Sequence, residues 1–404
     1  MKFFVVDDEE SMVKATTILL EGAGHEVVGF TSSNQALESV KSGQPDCLIV
    51  DIMMPEMDGL ELCRKVKSDP ENSHIRVIVL SAKTYEFDRS RACDMGASGY
   101  LTKPIKLDSF ISELEQLLGD TFTATFWGVR GTLPVPGESS LRYGGNTSCV
   151  AIQCGNAPLM IFDAGSGIKA LSDHMMGMNQ RITAKIFISH PHWDHINALP
   201  FFVPLYIPGN EFEILGARHG ETTMRELMSA QMDGIYFPIT IREFGARVFF
   251  RDLGEETIEF DNITVKTMLL SHPGNCLGYR IEYQGKSICY ITDNEMFNPG
   301  EPSHNPGYIQ HLADFCHGAD ALITDTTYTD AEYLSKAGWG HSSVGQVAEL
   351  AARAEVENLY LFHHDPDQTD DDIDAKLEEM KNALKMLGSN VTCLAPREGD
   401  QIKH

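Results

Sequence analysis

Four side chains of metal-ligand type fall within six residues of this chain, in Ser189-His190-Pro191-His192-Trp193-Asp194-His195. The run before them, 185–189, reads as a short β-branched strand. A fold gains nothing from so many imidazoles and carboxylates at one strand end, so the segment points to a metal centre. His190 and His192, two apart on extended chain, project the same way and suit one ion. Asp194 and His195, on the turn that follows, face a second position.

Three further apolar runs end in residues of the same type. Residues 264–270 lead to Ser271-His272-Pro273-Gly274, 287–291 to Thr292-Asp293, and 359–362 to His363-His364-Asp365. Nitrogen and oxygen donors without cysteine suit Zn²⁺, Mn²⁺ or iron, and the sequence does not choose among them.

The first 119 residues have a different rhythm. Short apolar runs at 3–6, 26–30, 47–50, 77–80 and 99–101 alternate with amphipathic stretches at 11–22, 34–42, 60–69, 87–95 and 107–118. Five βα units in this length predict a doubly wound five-stranded parallel sheet, with its site at the carboxyl ends of the strands. The polar residues collect there: Asp7 and Asp8, Asp51, Ser81 and Lys103. Three carboxylates in one crevice repel each other unless a cation joins them, and an all-oxygen set suits Mg²⁺.

The segments Val5-Val6-Asp7-Asp8-Glu9, Asp51-Ile52-Met53-Met54-Pro55, Ser81-Ala82 and Lys103-Pro104 closely resemble response-regulator receivers. The resemblance implies that Asp51 accepts a phosphoryl group from a cognate histidine kinase. It implies Mg²⁺ on Asp8, Asp51 and the Met53 carbonyl, with Asp7 assisting through water. Lys103 is then the partner of the phosphate, Ser81 and Tyr100 are the switch residues, and the Lys103-Pro104 bond is cis.

The boundary is expected near residue 119, giving a receiver over 1–119 and a second domain over 120–404. A strand predicted at 121–127 begins almost at once, with no flexible linker between.

The ligand pattern of the second domain resembles the metallo-β-lactamase superfamily, an α/β fold of αββα layers with a binuclear site on one edge. On that resemblance His190, His192 and His272 hold one metal, Asp194, His195 and His363 hold the other, and Asp293 bridges them. His363 is preferred to His364 because it directly follows its strand. Phe126-Trp127-Gly128-Val129-Arg130-Gly131-Thr132, Tyr143-Gly144-Gly145-Asn146-Thr147 and Trp339-Gly340-His341-Ser342-Ser343 narrow the resemblance. They are similar to a bacterial group described as cyclic-nucleotide phosphodiesterase-like and akin to the tRNA 3′-end-processing nuclease. The implied chemistry is in-line attack at phosphorus beside two cations. Asp194 belongs to that catalytic centre, and His341, oriented by Asp325, protonates the leaving oxygen.

Composition sets the remaining limits. Residues 1–119 carry 12 basic and 20 acidic side chains and residues 120–404 carry 20 and 38, for a net charge of −26. Polynucleotide affinity rests on Lys and Arg displacing phosphate counterions, so a small phosphodiester is favoured over a nucleic acid. Nine scattered cysteines with no Cys-x-x-Cys pair fit a reducing, cytoplasmic compartment. No apolar run approaches the roughly 20 residues of a membrane span, and Met1–Val6 reads as a first strand rather than a signal sequence. The expected protein is a response regulator with a hydrolase output, a phosphodiesterase for a small or cyclic nucleotide. Two alternatives stay open: a lactonase or thioesterase acting on a signal molecule, and a non-catalytic metal-containing output domain. Homodimerisation is also left open by the resemblance, since receivers often pair.

Overall fold

A computed structural model describes residues 1–69, 71–73, 75–82, 91–92, 95–107, 109–118, 121–178, 180–235 and 237–404. The chain divides into two compact units, Met1–Thr121 and Phe122–His404.

The first unit is built on five parallel strands: β1 (Lys2–Val6), β2 (Glu26–Phe30), β3 (Cys47–Asp51), β4 (Arg76–Ser81) and β5 (Gly99–Thr102). Their order is β2-β1-β3-β4-β5. The central strands are apolar on both faces because helices cover both sides. Phe4, Val6, Leu48, Val50 and Val77 pack with Ala36, Val40, Leu62 and Val66, from helices Ser33–Gly43 and Gly59–Ser68. Phe3, Val5, Ile49, Ile78 and Leu80 face Val13, Leu20, Phe110 and Leu114, from helices Glu10–Gly22 and Phe110–Leu118. The chain leaves β1 toward β2 and returns to β3 on the other side, so the order reverses between β1 and β3. That reversal opens a crevice where Asp7 and Asp51 lie. The helix predicted at 87–95 lies mostly outside the described residues.

The second unit has two seven-stranded mixed sheets. One contains β6 (Phe122–Gly128), β7 (Cys149–Cys154), β8 (Leu159–Phe162), β9 (Thr183–Ile188), β10 (Glu211–Ala217), β11 (Arg247–Leu253) and β19 (Gln401–Lys403), ordered β11-β10-β9-β8-β7-β6-β19. The other contains β12 (Thr257–Phe260), β13 (Ile263–Leu269), β14 (Leu277–Tyr283), β15 (Lys286–Ile291), β16 (Ala321–Asp325), β17 (Asn358–Phe362) and β18 (Thr392–Leu394), ordered as numbered. Period-two burial drives the layering. In β6, Phe122, Ala124 and Phe126 face inward and the residues between them are half-buried. Phe126, Phe162, Phe187, Tyr279, Tyr290 and Phe362 fill the space between the sheets. Each such ring contributes about 1.5–3 kcal/mol through burial.

Helices Pro306–Cys316, Val344–Arg353 and Asp370–Met386 cover the outside of the second sheet. Helices Ile168–Gly177 and Met224–Gln231 cover the first. The result is the αββα sandwich expected from the sequence.

The acidic run at 370–374 opens helix Asp370–Met386, with Asp371 and Asp372 exposed. Thr369 and Asp372 form a capping box at this start, but Asp370 is buried. It accepts from the backbone N–H groups of Arg142 and Tyr143 and faces the wholly buried Arg130.

Candidate metal centre and receiver site

All seven predicted ligands and Asp325 hang from the carboxyl ends of strands, while His341 lies in the loop before helix Val344–Arg353. The turn after β9 carries His190, His192, Asp194 and His195, and the loop after β13 carries His272. Asp293 follows β15, Asp325 ends β16 and His363 follows β17. Two groups result. One is His190, His192, His272 and Asp293; the other is Asp194, His195, Asp293 and His363. Asp293 belongs to both, with one oxygen for each. Its Oδ1 lies 3.1 Å from both His195 Nε2 and His363 Nε2. Its Oδ2 lies 3.6 Å from His190 Nε2 and 3.7 Å from His272 Nε2.

These spacings provide a test of fit. Ligands at about 2.0–2.2 Å in a tetrahedron stand roughly 3.3–3.6 Å apart. The observed separations match that scale, including 3.0 Å for His363 Nε2 to Asp194 Oδ2, 3.2 Å for His195 Nε2 to Asp194 Oδ2, and 3.1 Å for His272 Nε2 to His192 Nδ1. His190 Nε2 is buried with no hydrogen-bond partner, as a nitrogen reserved for a cation would be. Burial, joined by the neighbouring imidazoles, holds His190, His192 and His272 below the ordinary histidine range. That direction favours the neutral form that ligation requires.

Surrounding groups fix which nitrogen faces the centre. His195 Nδ1 donates to Asp163 Oδ2 at 2.7 Å, and His272 Nδ1 donates to the Gly340 carbonyl at 2.8 Å. The Thr132 N–H donates to Asp194 Oδ2 at 2.7 Å. Two glycines give the cluster room. A Cβ on Gly131 would lie 2.2 Å from the His363 ring, and one on Gly340 would lie 2.4 Å from His272 Nδ1. His363 itself has a left-handed backbone, φ +61°.

A third group, Asp325, His341 and His363, adjoins the second. His341 Nδ1 lies 2.9 Å from Asp325 Oδ2, and its ring stacks on His363 at 5.0 Å. Its Nε2 has no hydrogen-bond partner among the described residues. Burial alone would lower this histidine. Asp325 outweighs it and pushes the imidazole up to about 9.

Asp163 is the main residue that sequence reasoning missed. It follows β8 and accepts from Ser189 N–H and Oγ, Tyr290 Oη and His195 Nδ1. Its signal was the one used elsewhere, a carboxylate directly behind an apolar strand. Thr327 was also missed. Its Oγ1 donates to the His363 carbonyl at 2.7 Å, and its backbone N–H donates to Asp325 Oδ1 at 3.0 Å. Lys376, wholly buried, donates to the Thr326 and Thr327 carbonyls and to Gln368 Oε1 from beneath. His364 lies apart from the cluster, buried beside Tyr143. Asn146 is engaged by Glu398 and Ser166.

In the first unit, Lys103 Nζ sits 2.7 Å from both Asp7 Oδ2 and Asp51 Oδ1. Burial would lower its pKa, but the hydrogen bonds of Asp51 and Asp7 outweigh it and hold the ammonium above the lysine range. Asp51 Oδ2 accepts from Met53 N–H at 2.6 Å. Asp8 is exposed and forms no cluster of ligand atoms with Asp7 and Asp51. The sequence placed three carboxylates around one cation; here two of them are bridged by the Lys103 ammonium. The oxygen-only donors still suit Mg²⁺. Ser81 is buried at the end of β4, Tyr100 is half-buried in β5, Met53 is exposed, and the Lys103-Pro104 bond is cis.

A layered αββα sandwich with paired His/Asp groups at its strand ends defines a metal-dependent hydrolase class, here behind a receiver. The family model described as a beta-lactamase superfamily domain matches residues 160–364, just over half of the chain. The model described as a response regulator receiver domain matches residues 3–115. The chain belongs to the β-lactamase superfamily and carries a receiver domain ahead of that fold.

Two curated relatives match the receiver. The polar-differentiation response regulator DivK of Brucella ovis is 34% identical over 116 residues, covering 29% of this chain and 94% of DivK. The alkaline phosphatase synthesis transcriptional regulatory protein PhoP of Bacillus subtilis is 35% identical over 103 residues, covering 26% of this chain and 42% of PhoP. Among solved structures, the metallo-beta-lactamase fold protein YhfI of Bacillus subtilis aligns with a TM-score of 0.51 at 16% identity, covering 70% of this chain and all of YhfI. That likeness speaks to the fold.

Proposed function

We propose that this chain is a phosphorylation-regulated hydrolase that cleaves a phosphodiester bond in a small or cyclic nucleotide. The observation that carries the reading is His341. Its Nδ1 is bound to Asp325 and its Nε2 is free, beside two groups sized for cations. Divalent cations held there would activate a water molecule and neutralise charge on the phosphoryl oxygens.

The chain's own groups account for the rest of the mechanism. The seven ligands would hold the two cations beside His341, and these would supply the charge that draws a phosphate to that edge of the centre. Asp325, bound to Nδ1, orients the ring and favours the imidazolium, so that Nε2 carries a second proton toward the leaving group. As the new P–O bond forms and the old one breaks, His341 Nε2 passes its proton to the departing alkoxide. Charge supports a small substrate, since both sequence halves are acidic. The receiver implies a phosphodonor histidine kinase, with Asp51 as acceptor and Lys103 as the cation that meets the phosphate.

The test uses full-length protein loaded in turn with Zn²⁺, Mn²⁺ or Fe²⁺. It is offered bis(p-nitrophenyl) phosphate and a simple lactone, with and without beryllofluoride. Diester turnover is expected, lost in Asp194→Ala and reduced by about 10²–10⁴-fold in His341→Ala at unchanged metal content. Beryllofluoride should alter the rate in the wild type and leave Asp51→Asn unaffected. Lactone opening without diester cleavage, or bound metal with neither activity, overturns the reading.

A further inference from the structure

Beside His341 the second unit displays an aromatic ladder that the proposed chemistry does not use. Tyr328 is 3% exposed, and its ring meets the His341 ring edge-on at 5.9 Å. Among the described residues its hydroxyl has no hydrogen-bond partner, and it is not among the fully buried unpartnered atoms, so the phenol tip is open at the surface while the ring is buried. Lys336 Nζ sits 4.5 Å from the Tyr328 ring and 6.0 Å from the Trp339 ring. Its charge is balanced by Asp365 Oδ2 at 2.8 Å.

Trp339 ends the ladder, 63% exposed. That exposure is held in place by its surroundings. Buried Glu295 accepts from Gly338 N–H at 2.6 Å, Gly340 N–H at 2.7 Å and Tyr333 Oη at 2.8 Å. The Gly340 carbonyl accepts from His272 Nδ1, and Trp339 N–H donates to the Lys336 carbonyl. The backbone on both sides of the indole is fixed, so the ring is presented to solvent by a pinned loop.

We propose that Tyr328, Lys336 and Trp339 form a subsite for the leaving group of the phosphodiester, and that this group is a nucleoside whose base stacks on Trp339. The inference rests on the phosphodiesterase reading. Tyr328 stands edge-on to the His341 ring, within reach of a group leaving beside it, and its hydroxyl can donate to a sugar or phosphate oxygen. Lys336 holds the two rings through cation–π contact. An exposed indole then offers the base a face, an interaction open to any nucleobase because every base has one.

The experiment compares adenosine 5′-monophosphate with ribose 5-phosphate on full-length Zn²⁺-loaded protein, read by tryptophan fluorescence and equilibrium dialysis. Both ligands place the same phosphate ester at the centre, and only one carries a base. The nucleotide is expected to quench emission and bind on the order of tenfold more tightly. Trp339→Ala should abolish that preference while ribose 5-phosphate binds as before, and Trp339→Phe should keep most of it. Tyr328→Phe should weaken both ligands a few-fold. Equal binding of the two ligands, a preference that survives Trp339→Ala, or one lost instead in Trp193→Ala (82% exposed and outside the ladder) overturns the subsite. If such a result comes with diester turnover intact, only the subsite falls. If neither ligand binds and bis(p-nitrophenyl) phosphate is not cleaved, the phosphodiesterase reading falls and takes the subsite with it.

Discussion

Asp163 belongs to neither group of ligand atoms, yet it decides which nitrogen His195 presents to the centre. By accepting the Nδ1 proton at 2.7 Å it leaves Nε2 as the lone pair. Asp163→Asn is expected to weaken metal affinity about 10–100-fold with the fold retained, because partners of this kind set ligand orientation and basicity. Competition against a chromogenic chelator measures it, and an unchanged dissociation constant would refute the assignment. The residue scale is also where the sequence was most and least legible. His190 to His195 stand out because nothing but a metal explains their density. A single Asp followed by Ala-Gly-Ser carries no such excess, and its partners Ser189, Tyr290 and His195 are distant in sequence. Asp8, which the motif groups with Asp7 and Asp51, is exposed just beyond β1.

Helix Asp370–Met386 opens on an acidic first turn. Its one structural surprise, Lys376, appears only once the helix is packed, since a lysine in mid-helix usually faces water. Here the ammonium is wholly buried under the Thr326-Thr327 turn that supports Asp325 and His363. Burial pulls it down to about 7, with Glu332 and Asp325 restoring only part of the loss. The unfolded chain keeps its lysine near ~10.4, so between these values the unfolded state holds more protons. The contribution of this residue to stability therefore rises with pH from about 7 to about 10. Wild type should gain in unfolding midpoint relative to Lys376→Met when both are measured at pH 7 and again at pH 9.5. A difference that stays flat or shrinks would mean the ammonium is held by its three oxygen acceptors and titrates normally.

For the whole molecule, both folds could be read because their strands end where their chemistry begins, a relation that survives in one dimension. The sheet partners could not. That β9 and β17 belong to different layers is invisible until the sandwich forms. One consequence lies in how the centre is assembled. His190 through His195 come from one sheet, while His272, Asp293 and His363 come from the other. Cations held by both would act as a clasp across the seam between layers, so their removal would be a mechanical event as well as a chemical one. Stripping them with a strong chelator should lower the melting temperature of the second unit and speed amide hydrogen exchange at the ends of β9, β15 and β17. The receiver strands, which supply none of these ligands, serve as the internal reference. Identical exchange with and without chelator would mean the seam holds unaided.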